Sequence, residues 1–295
     1  MSTIERAIDK LGGANSPSSE TGAEGHGKAA IDRDGIAGAA QDAGLLADEG
    51  GQSRIELDFQ RLKAMGMMTP DGERSQIAEE FRHIKRPLLL NAYGKGSIQT
   101  AHPNLIMVTS AQPSEGKTFT AVNLALSIAL ERDRTVLLVD ADVAKPSVSR
   151  VLNFPGTAGL VDYLADHDRA LADLILKTSM PKLRVLPAGR RHSQSTELLA
   201  SESMLQLVEE LAQRYSDRLV LFDSPPLLAT SEATVLARLM GQVVMVVEAN
   251  RTKREEVKEA LSLLDANQYV GLVLNKSDKP FGADYYYGSY QKYSE

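Results

Sequence analysis

The run Ser114-Glu115-Gly116-Lys117-Thr118 holds the residue types that bind polyphosphate. It follows the apolar stretch Leu105–Thr109 and opens the amphipathic segment Lys117–Glu131. The pattern fits G-x-x-x-x-G-K-[ST], with Ala111 in place of the first glycine. In this setting the backbone N–H groups from Ser114 to Thr118 are expected to wrap phosphates at a helix N-terminus. The nucleotide-binding set is then Ser114, Glu115, Gly116, Lys117, Thr118 and Phe119. Lys117 would neutralise β/γ-phosphate oxygens, and the Thr118 hydroxyl would ligate Mg²⁺. Three carboxylates follow other apolar runs: Asp140 and Asp142 in LLVDADVAKP, and Asp223 in LVLFDSPP. A lone Asp after a strand is most often a turn or capping residue. Together with Lys117 and Thr118, these three supply the hard oxygen ligands of a Mg·nucleotide site. Asn275-Lys276-x-Asp278 matches the guanine-reading loop of GTPases. However, Asp223 is followed by Ser224-Pro225-Pro226 rather than D-x-x-G, so Asn275 is expected to be a base or loop contact and the nucleotide to be ATP.

These residues need a scaffold that brings loop ends together. Six short apolar runs recur along the chain: Leu105–Thr109, Thr135–Val139, Leu183–Leu186, Arg218–Phe222, Gln242–Val247 and Val270–Leu274. Few polar residues interrupt them, as in strands buried on both faces of a parallel sheet. Helical segments alternate with them at Lys117–Glu131, Glu197–Tyr215, Glu232–Met240 and Thr252–Asn267. The expected fold is α/β, a doubly wound, mainly parallel sheet flanked by helices. Ligands of such sheets sit at the carboxyl ends of the strands, where all the residues above fall. A further helix is expected over 74–92, with Ser75 as N-cap. Its charged stripe of Glu79, Arg82 and Lys85/Arg86 is either a solvated face or a self-association surface.

Hydrophobic residues make up 43% of the 295 residues, enough for a sizeable core. The net charge of −6 argues against nucleic-acid binding. The absence of cysteine excludes disulfides and thiolate metal sites, and the five histidines lack ligand spacing. No run reaches the 18 or so apolar residues of a membrane span, and the opening MSTIERAIDKLGG lacks the apolar core of a signal peptide. These features predict a cytoplasmic protein. Residues 1–73 are expected to form a largely disordered extension with one short helix, since Gly12–Gly51 alone holds ten of the 22 glycines. The folded nucleotide-binding unit is expected over 74–280, followed by a flexible tail over 281–295. Five of the nine tyrosines, Tyr285, Tyr286, Tyr287, Tyr290 and Tyr293, crowd into that tail. Such a segment is either sticky low-complexity sequence or a set of hydroxyls meant to be reached.

The ordered set VTSAQPSEGKT, LLVDADVAKPS and LVLFDSPP, ahead of this tyrosine cluster, resembles the bacterial tyrosine kinases (BY-kinases) of polysaccharide export. It is most similar to the exosortase-associated exopolysaccharide tyrosine autokinases. The likeness runs from about Ser75 to the C terminus and includes LPAGRRHSQSTELLASESM. The resemblance implies that Lys117 and Thr118 are the Walker A residues, Asp140 and Asp142 the second Walker motif, and Asp223 Walker B. The family pattern D-x-D-x-R has Ala144 at the arginine position here, followed by Lys145. The family's oligomerisation motif E-x-x-R-x-x-R appears as Glu79, Arg82 and Lys85, and lysine cannot bind bidentately as arginine does.

What this implies is an ATP- and Mg²⁺-dependent autokinase, with Mg²⁺ held by Thr118, Asp142 and Asp223. Lys117, Asp140 and Asp142 form the catalytic set. An ordinary tyrosine has a pKa near 10, so a base helps at neutral pH, and Asp140 is the candidate. The tail tyrosines would be acceptors, delivered in trans by a self-assembled ring. An inner-membrane co-polymerase or chain-length protein is the implied partner, recruiting the kinase to the membrane. The rival readings are a ParA/MinD-like ATPase, which would carry lysine where Gln112 stands, and a nonenzymatic nucleotide-dependent adaptor.

Overall fold

The structure, a computed structural model, describes residues 45–47, 53–72, 75–94, 100–166, 169–214, 218–266 and 268–277. The expected N-terminal helix, most of the Gly-rich stretch, Asp278 and the tyrosine cluster lie outside the described residues.

Strands β1 (Leu45–Ala47) and β2 (Ser53–Ile55) precede helices α1 (Phe59–Ala64) and α2 (Gln76–Tyr93). Strand β3 (Leu105–Ser110) leads through the phosphate loop into α3 (Lys117–Ala129), and β4 (Thr135–Asp140) follows. Three short helices come next, α4 (Val148–Leu152), α5 (Leu160–Ala165) and α6 (Leu171–Leu174). After β5 (Leu176–Thr178) and β6 (Leu183–Leu186) come α7 (Ser195–Leu199) and α8 (Glu202–Gln213). The chain then alternates through β7 (Arg218–Asp223), α9 (Ser231–Arg238), β8 (Gln242–Glu248), α10 (Arg254–Ser262) and β9 (Tyr269–Asn275).

The strands form one sheet in the order β1-β2-β5-β6-β4-β7-β3-β8-β9. From β6 through to β9 in that order all neighbours are parallel, while β5 runs antiparallel to β6 and β1 antiparallel to β2. The expected doubly wound sheet is therefore present, and all six expected strands are in it. Its central strands are Val- and Leu-rich because both faces are covered: β3 is buried at every position. One apolar layer joins α1, α2 and α3 to one face, and a second joins α5 to α10 to the other.

Every residue of helix α3 except Thr118 is buried. A helix apolar all round needs cover on every side. The sheet supplies one side; α2 and residues 53–72 supply the others. Ile55, Leu57, Leu62, Met65, Met67 and Met68 are all buried, and the Met68 N–H donates to Asn123 Oδ1 of α3 at 2.7 Å. Strand β2 pairs with β5, and Leu57 N–H donates to Ser179 Oγ at 3.0 Å. The expected boundary near residue 74 is corrected by these contacts: the folded unit already includes 53–72. Five or six apolar side chains at about 1.5–3 kcal/mol each outweigh the local glycine content.

The α2 stripe is also corrected in part. Ser75 caps the helix as expected, and Glu79 pairs with Arg82 on its exposed side. Lys85 instead falls on the inward face with Ala78, Phe81 and Leu88, at 6% exposure. Its Nζ donates to the Ser127 carbonyl at 2.8 Å and pairs with Glu131 at 2.6 Å, near the C-terminal end of α3. An ammonium there meets unpaired helix carbonyls and the negative end of the dipole. Lys85 is thus a buried brace between α2 and α3, not a member of an outward-facing stripe.

Candidate active site

Strand order places the carboxyl ends of β4, β7 and β3 side by side, so the phosphate loop and the acidic residues meet at one edge. Asp140 and Asp223 are register partners at the ends of β4 and β7.

On the loop side, Gly116 caps α3 at φ +99°, and a Cβ added there would lie 2.0 Å from Asn275 Nδ2. Only glycine fits both the dihedral and the space. Asn275 Nδ2 donates to the Glu115 carbonyl at 2.8 Å, and Lys276 Nζ donates to the Ser114 carbonyl at 2.9 Å. Lys276 also pairs with Glu248 at 2.9 Å. The buried Glu115 carboxylate accepts from Gln112 N–H at 2.8 Å and from the Thr252 hydroxyl. Gln112 Nε2 reaches Glu256 at 3.2 Å. The loop carbonyls and carboxylate are thus tied back into the protein. That leaves the loop's shape held from behind, and Glu115 and Asn275 act as struts. Phe119 is buried and packs on Phe81, ring centroids 6.5 Å apart, so only its backbone can serve a nucleotide. Of the two roles expected for Asn275, base or loop contact, its side chain makes the loop contact; the Glu115 side chain also braces the loop, and that of Phe119 lies in the core.

On the acidic side, Asp140 Oδ2 accepts from the Ser147 and Val148 N–H groups at 3.1 and 3.0 Å, at the start of α4. Its Oδ1 is buried without a partner, as are both Asp223 oxygens by normal hydrogen-bond geometry. Burial first, then the neighbouring Asp223 charge, pushes the Asp140 carboxyl well above the usual range. Burial also pushes Asp223 up to about 7, against the opposing pull of the Thr118 hydroxyl and the Lys117 charge. Asp142, part exposed, is raised by burial and lowered mainly by Lys117. Ala144 and Lys145 are exposed in the following turn, whose Lys145 N–H donates to Asp142 Oδ1 at 3.1 Å.

All five expected groups, Lys117, Thr118, Asp140, Asp142 and Asp223, therefore share one edge and sense one another's charge. A divalent cation fits this donor set, because buried carboxylate oxygens without partners are costly unless positive charge joins them. Among the described residues no three acidic or histidine side chains form a metal cluster by themselves. Mg²⁺ in such sites takes one or two carboxylates and fills the rest with hydroxyl, phosphate and water, so Asp142 and Asp223 with the Thr118 hydroxyl would suffice. The struts Glu248 and Thr252, at and just beyond the end of β8, carry no local motif; Gln112 and Lys276 lie in motifs whose sequence gives no sign of a bracing role.

The fold and this edge define a P-loop NTPase. A family described as an AAA domain matches residues 104–267. The tyrosine-protein kinase YwqD of Bacillus subtilis is 33% identical over 62% of this chain and 77% of that protein. The tyrosine-protein kinase CpsD of Streptococcus agalactiae is 30% identical over 64% of this chain and 82% of that protein. The kinase domain of the Escherichia coli tyrosine kinase ETK superposes with a TM-score of 0.58 at 27% identity, covering 68% of this chain and 77% of that one. The chain belongs to the bacterial tyrosine-kinase family. No helix among the described residues is long and apolar enough to cross a membrane.

Proposed function

We propose that the protein is an ATP-dependent tyrosine autokinase whose acceptors are Tyr285, Tyr286, Tyr287, Tyr290 and Tyr293. The observation that carries this reading is the meeting of Lys117 and Thr118 with Asp140, Asp142 and Asp223 at one sheet edge. Family membership adds tyrosine as the acceptor. In the reaction, a tyrosine oxygen attacks the γ-phosphorus of ATP, the bond to the β,γ-bridging oxygen breaks, and ADP leaves. Lys117 offsets charge on the β/γ oxygens, and the loop N–H groups hold the phosphates in place. Mg²⁺ bound by Thr118, Asp142 and Asp223 would neutralise phosphate charge and keep these carboxylates ionised. Ionised Asp140, with Oδ1 free, accepts the phenol proton.

The acceptor tail comes from a second copy in a self-assembled ring, toward which the Glu79–Arg82 pair on the exposed side of α2 would face. The catalytic unit spans about 53–277, preceded by an extension and followed by the tyrosine tail. An inner-membrane polysaccharide co-polymerase recruits it, and phosphorylation regulates exopolysaccharide synthesis or export. The test is mass-spectrometric mapping after incubation with Mg·ATP, beside Lys117→Met and a chain ending before Asp284. Tail phosphate in the wild type and none in Lys117→Met is the expected result. Transfer from the truncated chain to Lys117→Met establishes trans delivery. ATP hydrolysis with an unlabelled tail would support a ParA/MinD-like switch instead, and nucleotide binding with neither would support an adaptor.

A further inference from the structure

The loop after β6 carries Arg190, Arg191 and His192, all exposed, in a protein of net charge −6. Among the described residues neither arginine side chain has an ion pair or hydrogen bond, whereas many surface arginines here do. The turn that presents them is firmly built. Asp162 Oδ2 accepts from Gly159 N–H and Arg190 N–H, both at 2.9 Å, and Gly189 sits at φ +97° against that same oxygen. Leu160 and Val161 N–H groups donate to the Pro187 and Ala188 carbonyls at 2.8 and 2.9 Å.

Two independent links place this turn on the rim of the acidic edge. Leu186 of β6 is in register with Val139 of β4, so the chain beyond it runs beside Asp140 and Asp142. Thr196, in the first turn of α7 beyond the loop, donates to Glu232 at 2.8 Å, and Glu232 is close enough to Asp142 to oppose its ionisation. The acids around the turn include Asp162, Glu197 and Glu232; Asp162 is engaged by the Gly159 and Arg190 N–H groups and Glu232 by Thr196. Arg190 and Arg191 therefore offer two planar donor forks on a turn at the rim of this edge, suited to carboxylate or phosphate.

We propose that the Arg190–Arg191 turn is an acceptor subsite that binds the anionic groups of a tyrosine tail from a second copy of this chain. This rests on the kinase reading and names the recognition it requires. The tail sequence Asp284-Tyr285-Tyr286-Tyr287 places an acid directly before three tyrosines. An extended chain advances about 3.3 Å per residue, so Asp284 on the turn sets those tyrosines within about 10 Å of it, along the edge. Each phosphate added carries about −1.5 to −2 charges, so a phosphorylated tyrosine holds the turn more tightly than Asp284 does. The first transfer then favours retention of the tail for the next.

The test uses full-length Lys117→Met protein and the same protein carrying Arg190→Ala and Arg191→Ala. Each is titrated with labelled peptides of residues 281–295, unmodified or phosphorylated at Tyr287. The phosphopeptide is expected to bind the parent at least tenfold more tightly than the unmodified peptide, with an affinity that falls as salt rises. The double substitution is expected to erase that preference while leaving the melting temperature unchanged. In otherwise wild-type protein, which retains Lys117, the double substitution should raise the peptide KM about tenfold, with kcat and the KM for ATP unchanged, and Arg→Lys at both positions should restore part of the loss. Equal phosphopeptide binding with and without the arginines would overturn the subsite. A raised KM for ATP would also overturn it, because the arginines would then be reaching the nucleotide. Failure of wild-type protein to label any tyrosine refutes the kinase reading instead, and the binding titration still reports on the turn.

Discussion

On the loop side of the site the buried polar groups are satisfied. Glu115 is held by Gln112 and Thr252, while Asn275 and Lys276 hold the Glu115 and Ser114 carbonyls. On the acidic side, across the same edge, Asp140 Oδ1 has no hydrogen-bond partner among the described residues, and the Asp223 oxygens have at most a weak one in the Thr118 hydroxyl. The loop's polar groups stabilise a shape, and the edge's carboxylates cost stability until charge arrives. The difference teaches where binding energy goes. A preformed loop spends little of it on ordering, and the edge converts it into neutralising buried charge.

Asp223→Asn is the largest test of the contrast. In the absence of nucleotide and metal it is expected to stabilise the protein by about 3 kcal/mol at neutral pH, while phosphoryl transfer is lost. The sign follows from proton uptake. Unfolded Asp223 releases its proton near the ordinary value of about 3.9, and the folded one only near about 7. The native state therefore binds the extra proton between those values, and wild-type stability falls as pH rises through that window. Thermal melts from pH 4 to 8 should show this slope flattened in Asp223→Asn; an unchanged slope would break the comparison.

Gly116→Ala attacks the loop side. The positive φ and the 2.0 Å approach to Asn275 Nδ2 together predict a loss of about 2–3 kcal/mol, read by denaturant titration, and a weaker nucleotide affinity. Asn275→Ala leaves the buried Glu115 carbonyl unsatisfied and should cost about 1–2 kcal/mol. If Asn275 instead read the base, the substitution would change ATP-to-GTP preference with little effect on stability. Lys276→Met is the smallest, about 1 kcal/mol, since it removes one brace with a part-exposed Glu248 partner. Loop substitutions should thus lose stability and nucleotide affinity together, where the edge substitution trades one against the other.

The central sheet was legible because its strands lie between two layers and read as unbroken apolar runs. The sheet's other side was not: β1, β2 and β5 have three residues each, too few for a periodicity to emerge. Residues 53–72 were hidden by composition, because the glycine-rich stretch before them dominated any average over the region. At the site, Lys117, Thr118 and the three aspartates announced themselves by following strands. The motif marks the positions of Glu115 and Asn275 but not the bracing done by their side chains, which depends on partners brought near only by the fold. Lys85 was misread because a lysine on a charged stripe is expected outside; its inward turn depends on the Ser127 carbonyl and Glu131, which only the tertiary structure brings near.

The docking of Leu57 against Ser179 spans 122 positions of sequence. On a ribosome adding about 5–20 residues per second, the early apolar segment from Ile55 to Met68 emerges on the order of ten seconds before the strand that shelters it. During synthesis, then, the cover of the phosphate-loop helix is itself uncovered. That interval is the period when a holding chaperone has most to protect, and transient aggregation during expression should map to those methionines and leucines first.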